Sequence, residues 1–134
     1  MNISKAIYYI LSNHSGLNSL VSNRIYPVRA PQAVLQSSDP YVVFDKISII
    51  PTNTQDAASK LDYTRVRVHV WSKDYTNCEA IATTVRSALD RLAEGVYNTV
   101  RICNSLYMDQ TETFDDEDDY YSIVLDFNMK IHTS

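Results

Sequence analysis

The densest group of carboxylates in the chain is the acidic run Asp115-Asp116-Glu117-Asp118-Asp119, with Glu112 shortly before it. Divalent cations such as Ca²⁺ bind several oxygen ligands at once, so a run of this kind could hold one. The run lacks the spaced ligands and the central glycine of an EF-hand loop. We interpret it as a solvated turn joining two strands, with at most a weak, assembly-linked cation site; whether it binds a cation stays open.

The histidines and cysteines form no recognisable catalytic or metal-binding motif. His14, His69 and His132 are scattered, and neither Cys78 nor Cys103 has a suitably spaced metal-ligand partner. Cys78 falls on the apolar stripe of a predicted helix, where burial raises the pKa of a thiol and makes it inert. We therefore expect two reduced, buried cysteines, and we expect no catalytic residue, no metal and no cofactor. The two glycines of the chain also exclude a glycine-rich phosphate-binding loop.

A mixed arginine and aromatic face is the most interesting candidate for binding. Arg65, Arg67 and Trp71 lie on the outward side of an alternating strand, and Tyr75 follows just beyond it. Arginine and aromatic side chains are enriched in protein interfaces. Stacking on single-stranded nucleic acid uses the same residue types, but the net charge of −4 disfavours it. We interpret these residues as a protein interface, with an ordinary exposed sheet face as the alternative.

The polar segment 51–60 is the second candidate, because a long polar loop on a rigid sheet is often functional or disordered. We expect it to be a hairpin loop that orders against a neighbouring subunit. The proposed contact residues are Thr52, Asn53, Thr54, Gln55 and Asp56.

The composition is that of an ordinary water-soluble globular protein. Of the 134 residues, 45% are hydrophobic and 21% are charged, which is enough to build a core without disulfides or metals. Sixteen acidic against twelve basic side chains argue against a general nucleic-acid binder. The chain shows no membrane span and no signal peptide, so we expect a protein made in the cytosol, with residues 1–134 forming one domain.

Hydrophobic spacing predicts two main helices and five strands. The first helix carries Ile3, Ile7 and Leu11, with a short further turn near residues 17–21, and the second spans about residues 76–93. Thr76 and Glu79 have the spacing of a capping box, and Gly95 lies just past the predicted end. The strands are predicted at residues 24–28, 41–50, 64–71, 100–108 and 120–131, and residues 32–39 are predicted to be a polar loop.

These elements predict an α+β fold in the order α-β-β-β-α-β-β, with antiparallel sheets and the helices packed on one face. The segment Tyr41-Val42-Val43-Phe44 hardly alternates, as expected of a strand covered on both faces. The last strand alternates most clearly, with one face formed by Tyr121, Ile123, Leu125, Phe127, Met129 and Ile131 and the other by Tyr120, Ser122, Val124, Asp126, Asn128 and Lys130.

An ordered series of segments resembles the small tail-completion proteins of long-tailed bacteriophages, also called tail-terminator or tail-to-head joining proteins. The series is Ile25-Tyr26-Pro27-Val28-Arg29-Ala30-Pro31, then Pro40-Tyr41-Val42-Val43-Phe44-Asp45-Lys46-Ile47-Ser48, then Arg65-Val66-Arg67-Val68-His69-Val70-Trp71 and the helix around Val85-Arg86-Ser87-Ala88-Leu89. The resemblance covers about residues 7–127. The polar insert 35–39 and the acidic run depart from the pattern.

The resemblance implies a non-enzymatic virion protein that forms a ring, commonly of six copies, on the end of the tail tube. Such a ring stops tube polymerisation and offers a surface to the head-tail connector, so the implied partners are further copies, the tube protein and the connector. Six copies would carry a charge of about −24, a field that lets DNA pass without specific binding. The residues leave two alternatives open: a small hydrolase-like α+β enzyme, and a monomeric module that adds a peptide strand to its sheet edge.

Overall fold

The computed structural model describes residues 3–36, 39–51, 61–117 and 119–132. Four helices are present in this part of the chain, at Ile3–Ser12 (α1), Ser15–Val21 (α2), Gln32–Gln36 (α3) and Tyr75–Leu89 (α4). The strands are Ile25–Pro27 (β1), Tyr41–Pro51 (β2), Leu61–Ser72 (β3), Gly95–Tyr97 (β4), Val100–Asp115 (β5) and Tyr120–His132 (β6). None of the described helices is long and apolar enough to cross a bilayer.

The described strands form one six-stranded mixed sheet in the order β1-β2-β3-β6-β5-β4. The strand β1 runs parallel to β2, and every other neighbouring pair is antiparallel. The predicted α+β class is therefore confirmed, while the prediction of purely antiparallel sheets is wrong at β1. The two predicted hairpins, β2–β3 and β5–β6, are both present.

One face of the sheet carries the main hydrophobic core and is covered by α1, α2 and α4. Strand β3 contributes Val66, Val68 and Val70, all fully buried, as the alternation predicts. Strand β6 and helix α4 contribute further fully buried side chains, which are Ile123, Leu125, Phe127, Met129, Ile131, Cys78, Ile81, Val85 and Leu89. The buried side chains recur at every second residue in the strands and at every third or fourth residue in the helix, as expected when one face of each element is buried. This core fixes the sheet and leaves its other side available.

The predicted end signals of the long helix are wrong. Helix α4 begins at Tyr75, so Thr76 already lies inside it and cannot be its N-cap. The N-cap is Asp74, whose side chain makes no capping hydrogen bond. It ends at Leu89, earlier than predicted, and Asp90 is extended. Arg91 then adopts a left-handed backbone (φ 54°), and its N–H donates to the Ser105 carbonyl at 2.6 Å. Gly95 belongs to β4 and does not cap the helix.

The predicted element order and one-sided helix packing also need correction. The region predicted as a polar loop contains α3, whose Val34 packs with Ala30 against Tyr41 and Val43 on the face opposite the main core. This second small cluster explains why residues 41–44 are buried on both sides, as predicted.

Strand β5 is longer than predicted, since it continues to Asp115. Two irregularities, between Ile102 and Asn104 and between Tyr107 and Asp109, shift its pairing with β6. An extra residue in a strand reverses the facing of the residues after it. Leu106 and Met108 continue the apolar alternation of Val100 and Ile102 in the sequence, but because of these irregularities they are about half exposed.

Candidate assembly surface

The face of the sheet opposite α1, α2 and α4 is only partly covered, and we call it the open face. Its side chains come from alternate positions of β2, β3, β6 and β5. It has three zones along the strands: a charged centre, an aromatic cluster beside α3, and an apolar depression towards the end of the β2–β3 hairpin.

The charged centre is built around Asp126 of β6, which is only 5% exposed. Arg67 lies directly opposite on β3 and binds both carboxylate oxygens, with Nε–Oδ1 at 2.8 Å and Nη2–Oδ2 at 3.2 Å. Arg65 reaches the same carboxylate through Nη2 at 3.1 Å. The hydrogen bond from Arg67, helped by Arg65, outweighs burial and lowers the pKa of Asp126, so the carboxylate stays ionised.

A second polar contact, between His69 and Asp45, lies beside this centre. His69 Nε2 is 3.5 Å from Asp45 Oδ2, and the two residues sit on adjacent strands. The pKa of His69 is lowered because the loss of solvation outweighs the attraction of Asp45, and the positive Arg67 adds to the lowering. The imidazole is therefore neutral at neutral pH. On the described part of the open face, the pKa shifts thus keep the Asp126 carboxylate charged and the His69 imidazole neutral.

The aromatic cluster consists of Tyr41, Trp71 and Tyr120. The Tyr41 and Trp71 rings stack with centroids 6.2 Å apart, and Tyr120 packs edge-on against both, at 5.9 and 6.4 Å. Lys73 Nζ lies 5.2 Å from the Tyr120 ring centroid, within cation–π range. The cluster covers Ala30 and Val34, so Trp71 is half-buried and forms part of the second hydrophobic cluster.

The apolar depression lies at the opposite end of the open face and has a volume of about 410 Å³. It is lined by Ser48, Ile50, Tyr63, Arg65, Met108 and Asn128. Ile50 is 59% exposed and Met108 is 55% exposed, so large apolar side chains face solvent here. An exposed apolar patch rimmed by polar groups is typical of a contact surface.

The structure brings three of the predicted interface residues together and separates a fourth. Arg65, Arg67 and Trp71 share the open face. Tyr75 lies on the helix-covered side, where its ring centroid is 5.3 Å from that of Tyr121 and its hydroxyl donates to Glu112 Oε2 at 2.5 Å. That hydrogen bond raises the pKa of Tyr75 to about 12. The remaining predicted contacts, Thr52, Asn53, Thr54, Gln55 and Asp56, lie outside the described residues.

Sequence reasoning missed the residues that organise this face. Asp126 stands out only once β3 and β6 are paired, because its arginine partners are about sixty positions away in the chain. The outward alternation of β6 does place Asp126 on the correct face, and that signal was available. Met108 could not be found in this way, because the irregularity in β5 reverses its direction.

The cysteines carry no sign of reactivity. Both are free, Cys78 is buried as predicted, and Cys103 is only half-buried, so the prediction of burial is wrong for it. Burial raises the pKa of Cys78 to about 11, which disfavours the reactive thiolate. Among the described residues there is no group of three or more His, Cys, Asp or Glu side chains that could hold a metal ion. The described part of the acidic run forms the β5–β6 turn, as predicted.

The fold and this surface define an α+β sheet protein with one helix-covered face and one face partly open for contact. A chain of the virion of a native gene transfer agent particle has the same fold, with a TM-score of 0.77 and 19% identity. That match covers 94% of this chain and 91% of the other. A second solved structure matches with a TM-score of 0.62 and 9% identity over 100% of this chain and 98% of that one. No curated protein matches.

The family model described as tail completion protein gp17 matches residues 5–132. The chain belongs to this family, and it is therefore a structural protein of the phage tail. The predicted resemblance is confirmed.

Proposed function

We propose that this protein closes the end of the phage tail tube as a ring of about six copies, stops tube polymerisation and provides the surface on which the head-tail connector docks. The observation that carries the proposal is the family match over residues 5–132. The proposed partners are further copies of the chain, the tail tube protein and the connector. DNA would pass through the ring without specific binding, since each copy has a net charge of −4.

The open face supports this role because it exposes large apolar side chains that an isolated protein would ordinarily cover. Ile50, Leu106 and Met108 are each close to half exposed or more, and Arg65 lies beside them with a side chain that is 47% exposed. A closed ring of identical copies needs two different contact surfaces on each subunit. We propose the apolar depression, together with residues 52–56, as one of them.

The geometry changes the roles expected of Arg67 and Trp71. Arg67 neutralises the buried Asp126, and Trp71 packs on Tyr41 and Tyr120, so both residues also stabilise the fold. Replacing either with alanine would mix a folding defect with an assembly defect. Arg65 and Ile50 are better probes of a contact, because both are exposed at the rim of the apolar depression.

An enzymatic role has less support from the same geometry. A catalytic carboxylic acid is typically recognised by burial that raises its pKa. The buried carboxylate of this face, Asp126, has a lowered pKa and is held by two arginines as an ion pair. We therefore propose a structural part of the virion that does no catalysis.

The test is complementation of phage lysates that lack this protein. The double variant Ile50→Asp/Arg65→Ala should fold normally but fail to restore infectious particles, and unfinished tails should accumulate. The control, Tyr9→Asp/Arg86→Ala, changes an exposed apolar residue and an exposed arginine on α1 and α4, away from the open face; Tyr9 is 47% exposed and the Arg86 side chain is 52% exposed. It should complement like the wild type. Full complementation by the first variant would contradict the proposed contact, and normal tails in the lysates lacking the protein would contradict the function.

A further inference from the structure

The outer edge of β5, which faces away from β6, is paired only near its beginning. Strand β4 covers Val100–Ile102, opposite its own residues Gly95–Tyr97. Further along, the Arg91 N–H donates to the Ser105 carbonyl at 2.6 Å, and the Tyr107 N–H donates to Asp90 Oδ1 at 2.9 Å. The turn after α4 thus closes the edge as far as Tyr107.

Beyond this point the edge is open. The Gln110 N–H bonds to the neighbouring Asp109 Oδ1 at 2.8 Å, and no described strand pairs with the outer side of residues 110–115. Backbone groups of a strand alternate between its two sides. The backbone N–H and C=O groups of Ser105 and Tyr107 point outward, away from β6. After the irregularity at Met108, the outward backbone groups are those of Gln110, Glu112 and Phe114. The free edge is about 20 Å long, enough for an added strand of five or six residues.

An aromatic platform lies beside this open edge on the helix-covered side. The Phe114 and Tyr121 ring centroids are 4.8 Å apart, and Tyr75 packs on Tyr121 at 5.3 Å. Phe114 is 45% exposed and Tyr75 is 39% exposed. Alternate side chains of an added strand would reach this platform, which suits the apolar stems and the charged ends of lysine and arginine.

The charge along the edge is strongly negative. Glu112 lies on the edge itself, and Asp115, Asp116 and Glu117 follow at the β5–β6 turn. All are exposed except Asp115, which is half-buried. Glu79 of α4 is close enough to act electrostatically on Tyr75 from the other side. The charge complement of this surface is a basic segment, and carboxylates bind arginine and lysine through short charge-assisted hydrogen bonds.

We propose that the open edge of β5 binds an extended, basic segment of a partner protein as an additional strand, with its lysine or arginine side chains between the aromatic platform and the acidic turn. Backbone hydrogen bonds from Glu112 and Phe114 provide the register, and the carboxylates select positive charge. This surface is separate from the apolar depression and does not depend on a ring. Its test therefore succeeds or fails independently of the proposed function.

The experiment measures binding of two capped hexapeptides to the full chain, one alternating lysine with valine and one alternating glutamate with valine. The basic peptide should bind at least about tenfold more tightly, and added salt should weaken its binding. Hydrogen exchange of the Glu112 and Phe114 amides should slow on binding. Equal affinity for both peptides or no binding of the basic peptide at millimolar concentration would overturn the proposal. Protection confined to the outer edge of β2 beyond Phe44, where β1 no longer pairs with it, would also overturn it.

Two substitutions at one position separate backbone pairing from charge. Glu112→Pro removes the outward N–H, whereas Glu112→Gln keeps it. The proline variant should therefore bind the basic peptide about fivefold to tenfold more weakly than the glutamine variant. If Glu112→Pro does not fold, the charge reversal Glu112→Lys/Asp116→Lys is used instead and should make the acidic peptide the preferred ligand. Unchanged preference in the charge-reversed variant would overturn the proposal.

Discussion

The two faces of the sheet differ in what holds them together. On the helix-covered face, β3 and β6 present continuous apolar rows in which Val68 and Leu125 are fully buried against the helices. The sequence neighbours of these two residues, Arg67 and Asp126, form the central contact of the open face. This contact lies between the aromatic cluster and the apolar depression. One face is specified by hydrophobic burial, and the other by charge pairing that leaves apolar surface available.

The difference indicates that folding and assembly are assigned to opposite sides of the same strands. Apolar burial is non-directional and stabilises without partners. Charge pairs at a surface contribute less to stability but fix orientation and select partners. If this is correct, neighbouring substitutions in one strand should have very different effects on the free energy of unfolding.

The largest difference is expected between Leu125→Ala and Val124→Ala. Leu125 lies in the core, so its truncation should lower the free energy of unfolding by about 2–5 kcal/mol. Val124 is a half-buried neighbour on the open face, and its truncation should cost about 1 kcal/mol or less. Urea denaturation of both variants measures this, and equal losses would contradict the division between the two faces.

An intermediate effect is expected at Asp126. Replacing it with alanine leaves Arg65 and Arg67 without their shared carboxylate and should cost about 1–3 kcal/mol. Arg65→Ala, which leaves the bidentate Arg67 contact intact, should cost less than about 1 kcal/mol. A larger loss for Arg65→Ala than for Asp126→Ala would contradict the assignment of Asp126 as the centre of the face.

The same carboxylate predicts a response to acid. Because its folded pKa is below the ordinary value of 3.8, Asp126 binds fewer protons in the folded than in the unfolded state between those two values. Its contribution to stability is therefore complete above the unfolded pKa and is lost as the pH falls through the folded pKa. Asp126→Asn should lose less stability than the wild type over this range, as measured by urea denaturation at each pH; identical acid profiles would show that the pair contributes nothing.

The smallest effect is expected at His69. Its pKa lies below 6.5 in the fold, so the unfolded chain takes up the proton first as the pH falls. Stability should decline modestly from just above pH 6.5 down to the folded pKa, and His69→Gln should remove this part of the slope. A steeper slope in the variant would show that Asp45 outweighs burial.

The sequence predicted the covered face well, because its signal is local. The inward sets of β3 and β6 and the stripe on α4 repeat at the spacing of their own elements, so no knowledge of pairing is needed. The outward set of β3 also correctly identified Arg65, Arg67 and Trp71 as sharing one face.

The errors arise where distant residues decide the structure. The α4 end depends on the Arg91 contact with Ser105, and the facing of Met108 depends on an irregular pairing with β6. Proximity in sequence groups Tyr75 with the outward strand residues, but Tyr75 begins α4 and lies on the covered side, against Tyr121. The Asp126 partnership likewise requires two strands to be aligned first.

The most direct test of the proposed function is the number of copies of this chain in purified virions, measured by mass spectrometry against isotope-labelled peptides. A ring at the end of the tail tube predicts about six copies per particle, bound to the tail fraction after heads and tails are separated. Absence of the chain from purified particles, or a copy number that scales with tail length, would contradict the account.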